Sequence, residues 1–441
     1  MRTLPRRTRR LVLFAFPLAA VGCGGDAGPA TSGLDSPDIP LAPSVEDVYA
    51  VGVLDGAEWE MFGSLAGVAF GDDGSLFILD NDAGHVVVVD PSGEFVRTIS
   101  NKGEGPGELN RPMGLAVLDD GRIAVNDMGR GIQVFSPDGA AFQEAGFTFQ
   151  TGMPGPQMYA MPDQSLLSAG LVVGSFGALM GEEEEEEPAG RPIGRFRLDG
   201  TQEDFYTAWA RPPVEETETE TGNIRMVMTG LEAFSLPLSL GAFRDGRIAL
   251  ADSVGYRIKI LDLSGRVVGT LERPIPPVAV TDGIRDAERE HRLAALAEGR
   301  SGGGGGSFVV TSIAIGGAAG RGGSIGPDSE AMRRMREDMR EDRIENMTFP
   351  DEIPVISRLA VDRSDRIWVQ RSALPGEAGP TDILTADGQY FGTIAPNGIR
   401  IPAAFGPDGL LAYIERDEFD IPRVRVVRLV DDQLLETAES D

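Results

Sequence analysis

The chain has 441 residues, 41% of them hydrophobic, which supports a large core and excludes global disorder. Its formal charge is −29, a balance that repels phosphate backbones and argues against nucleic acid as a partner. With one cysteine, Cys23, no internal disulfide can form, and two histidines, His85 and His291, cannot build a Cys/His zinc site.

The N-terminus comes first. Arg2, Arg6, Arg7, Arg9 and Arg10 precede an apolar run at 11–21 that Pro17 interrupts. The run is far shorter than the ~20 residues that cross a bilayer, so residues 1–22 read as a signal peptide. It ends Ala20-Val21-Gly22-Cys23, similar to a bacterial lipobox, although Ala20 stands where leucine is usual. Cys23 is therefore the expected lipidation site; the alternative is an ordinary cleaved signal with an incidental cysteine. Residues 23–44 are rich in Gly, Pro and Ser and are expected to be a flexible tether. The protein is expected in the bacterial cell envelope, lipid-anchored, in the periplasm or at the cell surface.

From residue 45 the chain repeats itself. Six segments share a short apolar strand with a central alanine, a tight turn, a second strand, a loop, a third strand, another turn and a fourth strand. The alanines are Ala69, Ala116, Ala160, Ala242, Ala360 and Ala404. Asp-Gly turns at Asp73-Gly74, Asp120-Gly121, Asp245-Gly246 and Asp408-Gly409 supply hairpin geometry. Four short strands in about 44 residues are the signature of a propeller blade. The expected fold is all-β, a six-bladed β-propeller of four-stranded blades over 45–437. A glycine-rich, partly helical insertion at 273–354 separates blades 4 and 5. Small alanines suit inner strands crowded around a central channel. Residues 47–54 are the expected extra strand that pairs with the last blade and closes the ring, with 434–437 as the rival.

Residues 252–260 (DSVGYRIKI) resemble the NHL-repeat blade pattern, and 103–109 (GEGPGEL) is similar to a loop of bacterial six-bladed propeller lipoproteins. The resemblance spans roughly 45–430 apart from the insertions. It implies the fold and leaves the chemistry open, because propellers host many activities. Lactonase-like propellers use a central metal, whereas the related lyases use several histidines, which this chain does not supply.

Strand order places the 1–2 and 3–4 turns on one face, and the 2–3 and inter-blade loops on the other. The second face therefore collects the 103–109 loop, the acidic stretch 171–191, the Thr/Glu-rich stretch 212–222 and the long insertion. Within that insertion, 282–298 reads as a charged helix ended by Gly299, and 301–306 as a glycine hinge. Residues 328–347 read as a second helix, with Met332, Met335 and Met339 on its packed side. The insertion is either a lid or a family-specific decoration. The six glutamates at 182–187 read as a solvated loop, because contiguous like charges repel.

One position after each second strand reads Asp80, Asp127, Leu171, Asp252, Arg371 and Glu415 in blade order, with Asn81, Asp82 and Asn126 beside it. Asp80, Asp127, Asp252 and Glu415 are the candidate metal ligands, a carboxylate ring for Ca²⁺. The alternative is that each acid caps its own loop by accepting backbone N–H bonds. The function expected first is a monomeric, non-catalytic binding or scaffold module without a cofactor. It would hold a protein, peptide or glycan partner on the insertion face, with the membrane reached through the lipid anchor. The alternative is a Ca²⁺-assisted hydrolase or lactonase.

Overall fold

The computed structural model describes residues 30–35, 37–128, 130–140, 142–147, 153–170, 190–211, 217–221, 224–228, 231–298 and 340–430. Twenty-four strands build six antiparallel blades around a ring. Blade 1 is Leu65–Phe70, Leu76–Asp80, His85–Val89 and Phe95–Ile99. Blade 2 is Pro112–Val117, Ile123–Asp127, Gly131–Phe135 and Phe142–Ala145. Blade 3 is Tyr159–Ala160, Leu166–Ala169, Arg191–Phe196 and Gln202–Ala208. Blade 4 is Ser239–Ala242, Ile248–Ala251, Arg257–Leu261 and Val267–Glu272. Blade 5 is Ile356–Val361, Arg366–Arg371, Thr381–Thr385 and Tyr390–Ile394. Blade 6 takes Ala404–Phe405, Leu410–Arg416 and Pro422–Leu429 from the C-terminal end and its fourth strand, Val45–Val51, from the N-terminal end. That strand pairs antiparallel along Pro422–Leu429 from Val45↔Leu429 to Val51↔Val424. The ring closes as expected from 47–54; the rival segment 434–437 lies outside the described residues.

The core is a circle of inter-blade layers. Ile78, Val87 and Val89 of blade 1 meet Leu410, Val424 and Val426 of blade 6. On its other side blade 1 packs Phe77, Leu79 and Val86 against Ile123 and Val125 of blade 2. The repeated alanines lie inside these layers: Ala69 in the first-to-second, Ala116 in the second-to-third, Ala360 in the fifth-to-sixth. There they pack between the inner strands of neighbouring blades. The Asp-Gly turns hold their geometry through Gly74 at φ +83° and its counterparts.

The segment 23–44, expected as a flexible tether, pairs with the ring at two places. Ala30–Gly33 runs parallel to Val267–Glu272 as a fifth strand on blade 4. Pro40–Leu41 runs parallel to Tyr390–Ile394 as a fifth strand on blade 5. Leu34 and Leu41 are buried. We call residues 30–41 the strap.

The connections sort by face as strand order requires. Turns within 71–75, 118–122, 243–247 and 262–266 are short, whereas 171–190, 209–238 and 273–355 all leave from the opposite end of the blades. Helix α1 (Asp282–Ala297) starts where Thr281 Oγ1 accepts the Ile284 N–H and ends one residue before its expected limit. Residues 340–345 are also helical. Thr217–Thr221 and Ile224–Met228 form a hairpin where a loop was expected. The 182–187 glutamates, the 301–306 glycines and Met332, Met335 and Met339 lie outside the described residues.

The two inter-blade excursions fold on each other. The Ala233 N–H donates to the Thr348 carbonyl, and the Thr348 N–H to the Leu231 carbonyl, each at 2.9 Å. Ala233, Ile344 and Met347 are buried there against Leu231, Phe234, Leu293, Leu296 and Phe349. The insertion face thus carries a cap with its own small apolar core.

Candidate functional site

Each candidate metal ligand sits where the sequence put it, at the insertion-face end of a second strand. Three of them accept backbone N–H groups. Asp80, 1% exposed, accepts the N–H groups of Gly63, Ser64, Asp82 and Ala83 at 2.8–3.3 Å. Asp127, 0% exposed, accepts those of Asn110 at 3.0 Å and Arg111 at 2.7 Å. Asp252 accepts the Trp209 N–H at 2.9 Å and pairs with Lys259 Nζ at 2.8 Å. In all three the donor chain is an inter-blade crossing, so the acid staples that crossing to the blade. Glu415 instead pairs with Arg400 at 3.2 Å and Arg423 at 3.6 Å. No three His, Cys, Asp or Glu side chains among the described residues gather as a metal site. Only Asp80 also caps its own loop, at Asp82 and Ala83, and each acid has its own separate partners.

Beside them, Asn126 Nδ2 donates to the Pro154 and Gly155 carbonyls, whereas Asn126 Oδ1 and Asn81 Oδ1 are buried without a hydrogen-bond partner among the described residues. The 103–109 loop also serves packing. Leu109 is 0% exposed, and the Glu108 carboxylate accepts the Gly105 N–H at 2.8 Å.

Blade 5 breaks the pattern with Arg371, and the break builds a different site. Arg371 Nη2 lies 2.6 Å from Asp38 Oδ2 and 3.3 Å from Asp382 Oδ1. Arg273, at the root of the long insertion, reaches Asp38 Oδ1 at 3.0 Å and Asp382 Oδ2 at 2.9 Å. Two guanidiniums from two blades therefore clamp one carboxylate of the strap, over a second carboxylate that is wholly buried. Thr393 Oγ1 donates to Asp382, Tyr390 Oη meets Thr393 Oγ1, and the Arg273 guanidinium lies 4.4 Å from the Tyr390 ring centroid.

The electrostatics follow from burial and pairing. Burial works to raise the Asp38 carboxyl, but hydrogen bonds and charge from Arg371 and Arg273 outweigh it and hold the group below its ordinary value. Burial, and then the charge of Asp382, push the Tyr256 phenol well above its ordinary value, so it stays neutral. Tyr256 and Arg273 line an open cleft of about 580 Å³ with Ser253, Arg257, Glu272 and Ile275. The cleft opens beside the clamp, on the insertion face. The sequence reading passed over this clamp. The signal was Arg371, a charge reversal at a position that other blades give to an acid.

A family model described as 6-bladed beta-propeller matches residues 58–151. No curated protein matches the chain. Among solved structures, a Bacteroides fragilis protein described as exported aligns at 10% identity and TM-score 0.46, covering 91% of this chain and 99% of its own. A streptogramin B lyase aligns at 12% identity and TM-score 0.39, covering 88% and 98%. Regucalcin from Agrobacterium tumefaciens, described as calcium-binding, aligns at 11% identity and TM-score 0.37, covering 89% and 96%. Likeness at this level carries nothing about ligand or activity.

Proposed function

We propose that this chain is an exported, membrane-tethered propeller that acts as a non-catalytic binding module, holding a protein, peptide or glycan partner on its insertion face. The observation that carries the reading is the cap: two separate excursions leave the same face and bury Ala233, Ile344 and Met347 together. Loops that leave a rigid ring on one side and then pack on one another make a shaped surface, which is what recognition requires. Asp80, Asp127 and Asp252 support binding over metal-assisted hydrolysis, because their oxygens hold backbone N–H groups. In this reading Cys23 carries the lipid and no cofactor is needed.

The test uses the full chain in its own envelope. A photo-crosslinking residue at exposed Glu290 on α1 reports the cap, and one at Asp245 reports the turn face. A discrete adduct from the cap position alone is expected. Adducts from the turn face alone, or from neither position, would overturn the assignment of the face. Conversion of Cys23→Ser should move the protein from the membrane fraction to the soluble fraction; retention in the membrane would refute the lipid anchor.

A further inference from the structure

The strap has the form of a ligand. Blades 4 and 5 already have four strands each, and residues 30–41 add a fifth to both in parallel pairing. The Leu34 N–H donates to the Glu272 carbonyl, and the Thr393 N–H to the Ile39 carbonyl, each at 2.7 Å. Blade 5 is shaped for this contact at Gly392, where a Cβ would stand 2.5 Å from the Ile39 carbonyl oxygen and 2.6 Å from Leu41 Cγ. Extended peptides bind sheet edges in this way, with main-chain bonds giving affinity and side-chain pockets giving choice.

The charge balance names the chemistry. Arg273 and Arg371 face Asp382 and Asp38, two cations and two anions. Arg273 is 3% exposed, Arg371 13% and Asp382 0%, whereas Asp38 is 48% exposed. The receptor side is thus buried and fixed, and the strap side is reachable from solvent. Asp38 is the counter-charge that both guanidiniums share at this seam, and another carboxylate has the chemistry to take its place.

We propose that the seam between blades 4 and 5 is a receptor for an extended peptide bearing a carboxylate, and that residues 30–41 are its resident occupant in cis. An incoming peptide with an Asp at the matching position competes with the strap for Arg273, Arg371 and the two outer strand edges. Its entry frees the strap, adding up to about 40 Å of slack between the ring and the N-terminus, at ~3.3 Å for each of twelve residues. The proposal rests on the insertion-face reading, since clamp, cleft and cap root share that face, and it names the ligand class.

The probe is a fluorescent synthetic peptide of residues 28–44, and the receptor is the full chain. In the unaltered protein the tethered strap competes at high effective concentration, so binding should be weak. In Asp38→Lys, both guanidiniums repel the strap's own lysine and the seam opens. The peptide should then bind about tenfold tighter or more than to the unaltered chain. The same peptide carrying Asp38→Asn should bind about tenfold more weakly than its parent. Proteolysis within 34–41 of the unaltered chain should accelerate as saturating peptide is added. Equal binding of the two peptides, or no binding to the Asp38→Lys chain, would overturn the proposal. Arg371→Gln supplies an independent check that leaves Asp38 in place: it should weaken the peptide on the opened receptor, and unchanged binding would also refute the assignment. Cap crosslinking with no peptide binding sinks the receptor alone; peptide binding without crosslinking sinks the wider face assignment alone.

Discussion

Replacing Asp127 by Asn tests whether the recurring acids are staples. The side chain is 0% exposed and takes the Asn110 N–H on one oxygen at 3.0 Å and the Arg111 N–H on the other at 2.7 Å. Asparagine has one acceptor oxygen, so one N–H keeps its partner and the other faces an amide NH₂. The loss is one charge-assisted bond, about 1.5–3 kcal/mol, together with the cost of a stranded buried donor, about 1–3 kcal/mol. Arg130, whose Nη1 lies 3.9 Å from Asp127, keeps its bonds to Glu108 and Glu144 and limits further loss. The sum is about 2.5–6 kcal/mol, or ~3–7 °C in Tm for a ring of this size melting as one unit. Urea denaturation gives the free energy, and amide exchange at 108–112 gives its place. A change below ~0.5 kcal/mol, with exchange there unaltered, would refute the staple assignment. So would a fall in stability that calcium reverses.

Three further outcomes follow from the same geometry. Chelation of calcium should leave the melting curve of the full chain unchanged, since Asp80, Asp127 and Asp252 hold N–H groups; a clear fall on chelation would restore the carboxylate-ring reading. Gly93→Ala should loosen ring closure, because its Cβ would lie 2.6 Å from Tyr49 of the closing strand at a backbone φ of +88°; faster exchange confined to 45–51 and 422–429 is expected, and an unchanged pattern refutes it. The strap should respond to acid with a definite sign. Asp38 titrates lower in the folded chain than free, so its contribution is full above the ordinary value of 3.8 and is lost as pH falls through the folded value. Proteolysis within 34–41 should therefore be flat between about pH 5 and 8 and rise below about pH 4; a rise near pH 6 would contradict the clamp.

What the sequence reveals here depends on how many residues share a constraint. A blade strand repeats its requirement several times over, as in His85–Val89, where four consecutive valines are buried from both sides. Six copies of that pattern, with glycines such as Gly74 and Gly121 at left-handed turns, make the ring visible before any coordinates. The closing strand Val45–Val51 overlaps the expected 47–54 but carries little of that signal, since only Val51 in it is buried. The strap offers no such redundancy. Ala30–Gly33 reads ATSG and the second contact is a Pro-Leu pair, so composition says linker. Its docking comes from backbone groups, which every residue has, from two leucines, Leu34 and Leu41, and from one aspartate. The sequence carries the pairing mainly in its partners, in Gly392 left without a Cβ and in Arg371.

The recurring acid shows how a repeat can mislead about a site. Four acids at equivalent positions suggest a shared function, such as a metal ring. Repetition, though, also arises when every blade has the same local problem. Here the problem is an inter-blade crossing whose N–H groups point at the blade without a strand partner: Gly63 and Ser64, Asn110 and Arg111, Trp209. A carboxylate at the end of strand 2 solves it in blades 1, 2 and 4, and in blades 1 and 2 both of its oxygens are taken by N–H groups. Blade 5 meets the same position with Arg371 and needs carboxylates brought to it, one from within the blade and one from the strap. A side chain that repeats answers the scaffold. The one of opposite charge takes one partner from its own blade, Asp382, and one from the strap, Asp38, which is why Arg371, rather than any of the four acids, marks where the strap meets the ring.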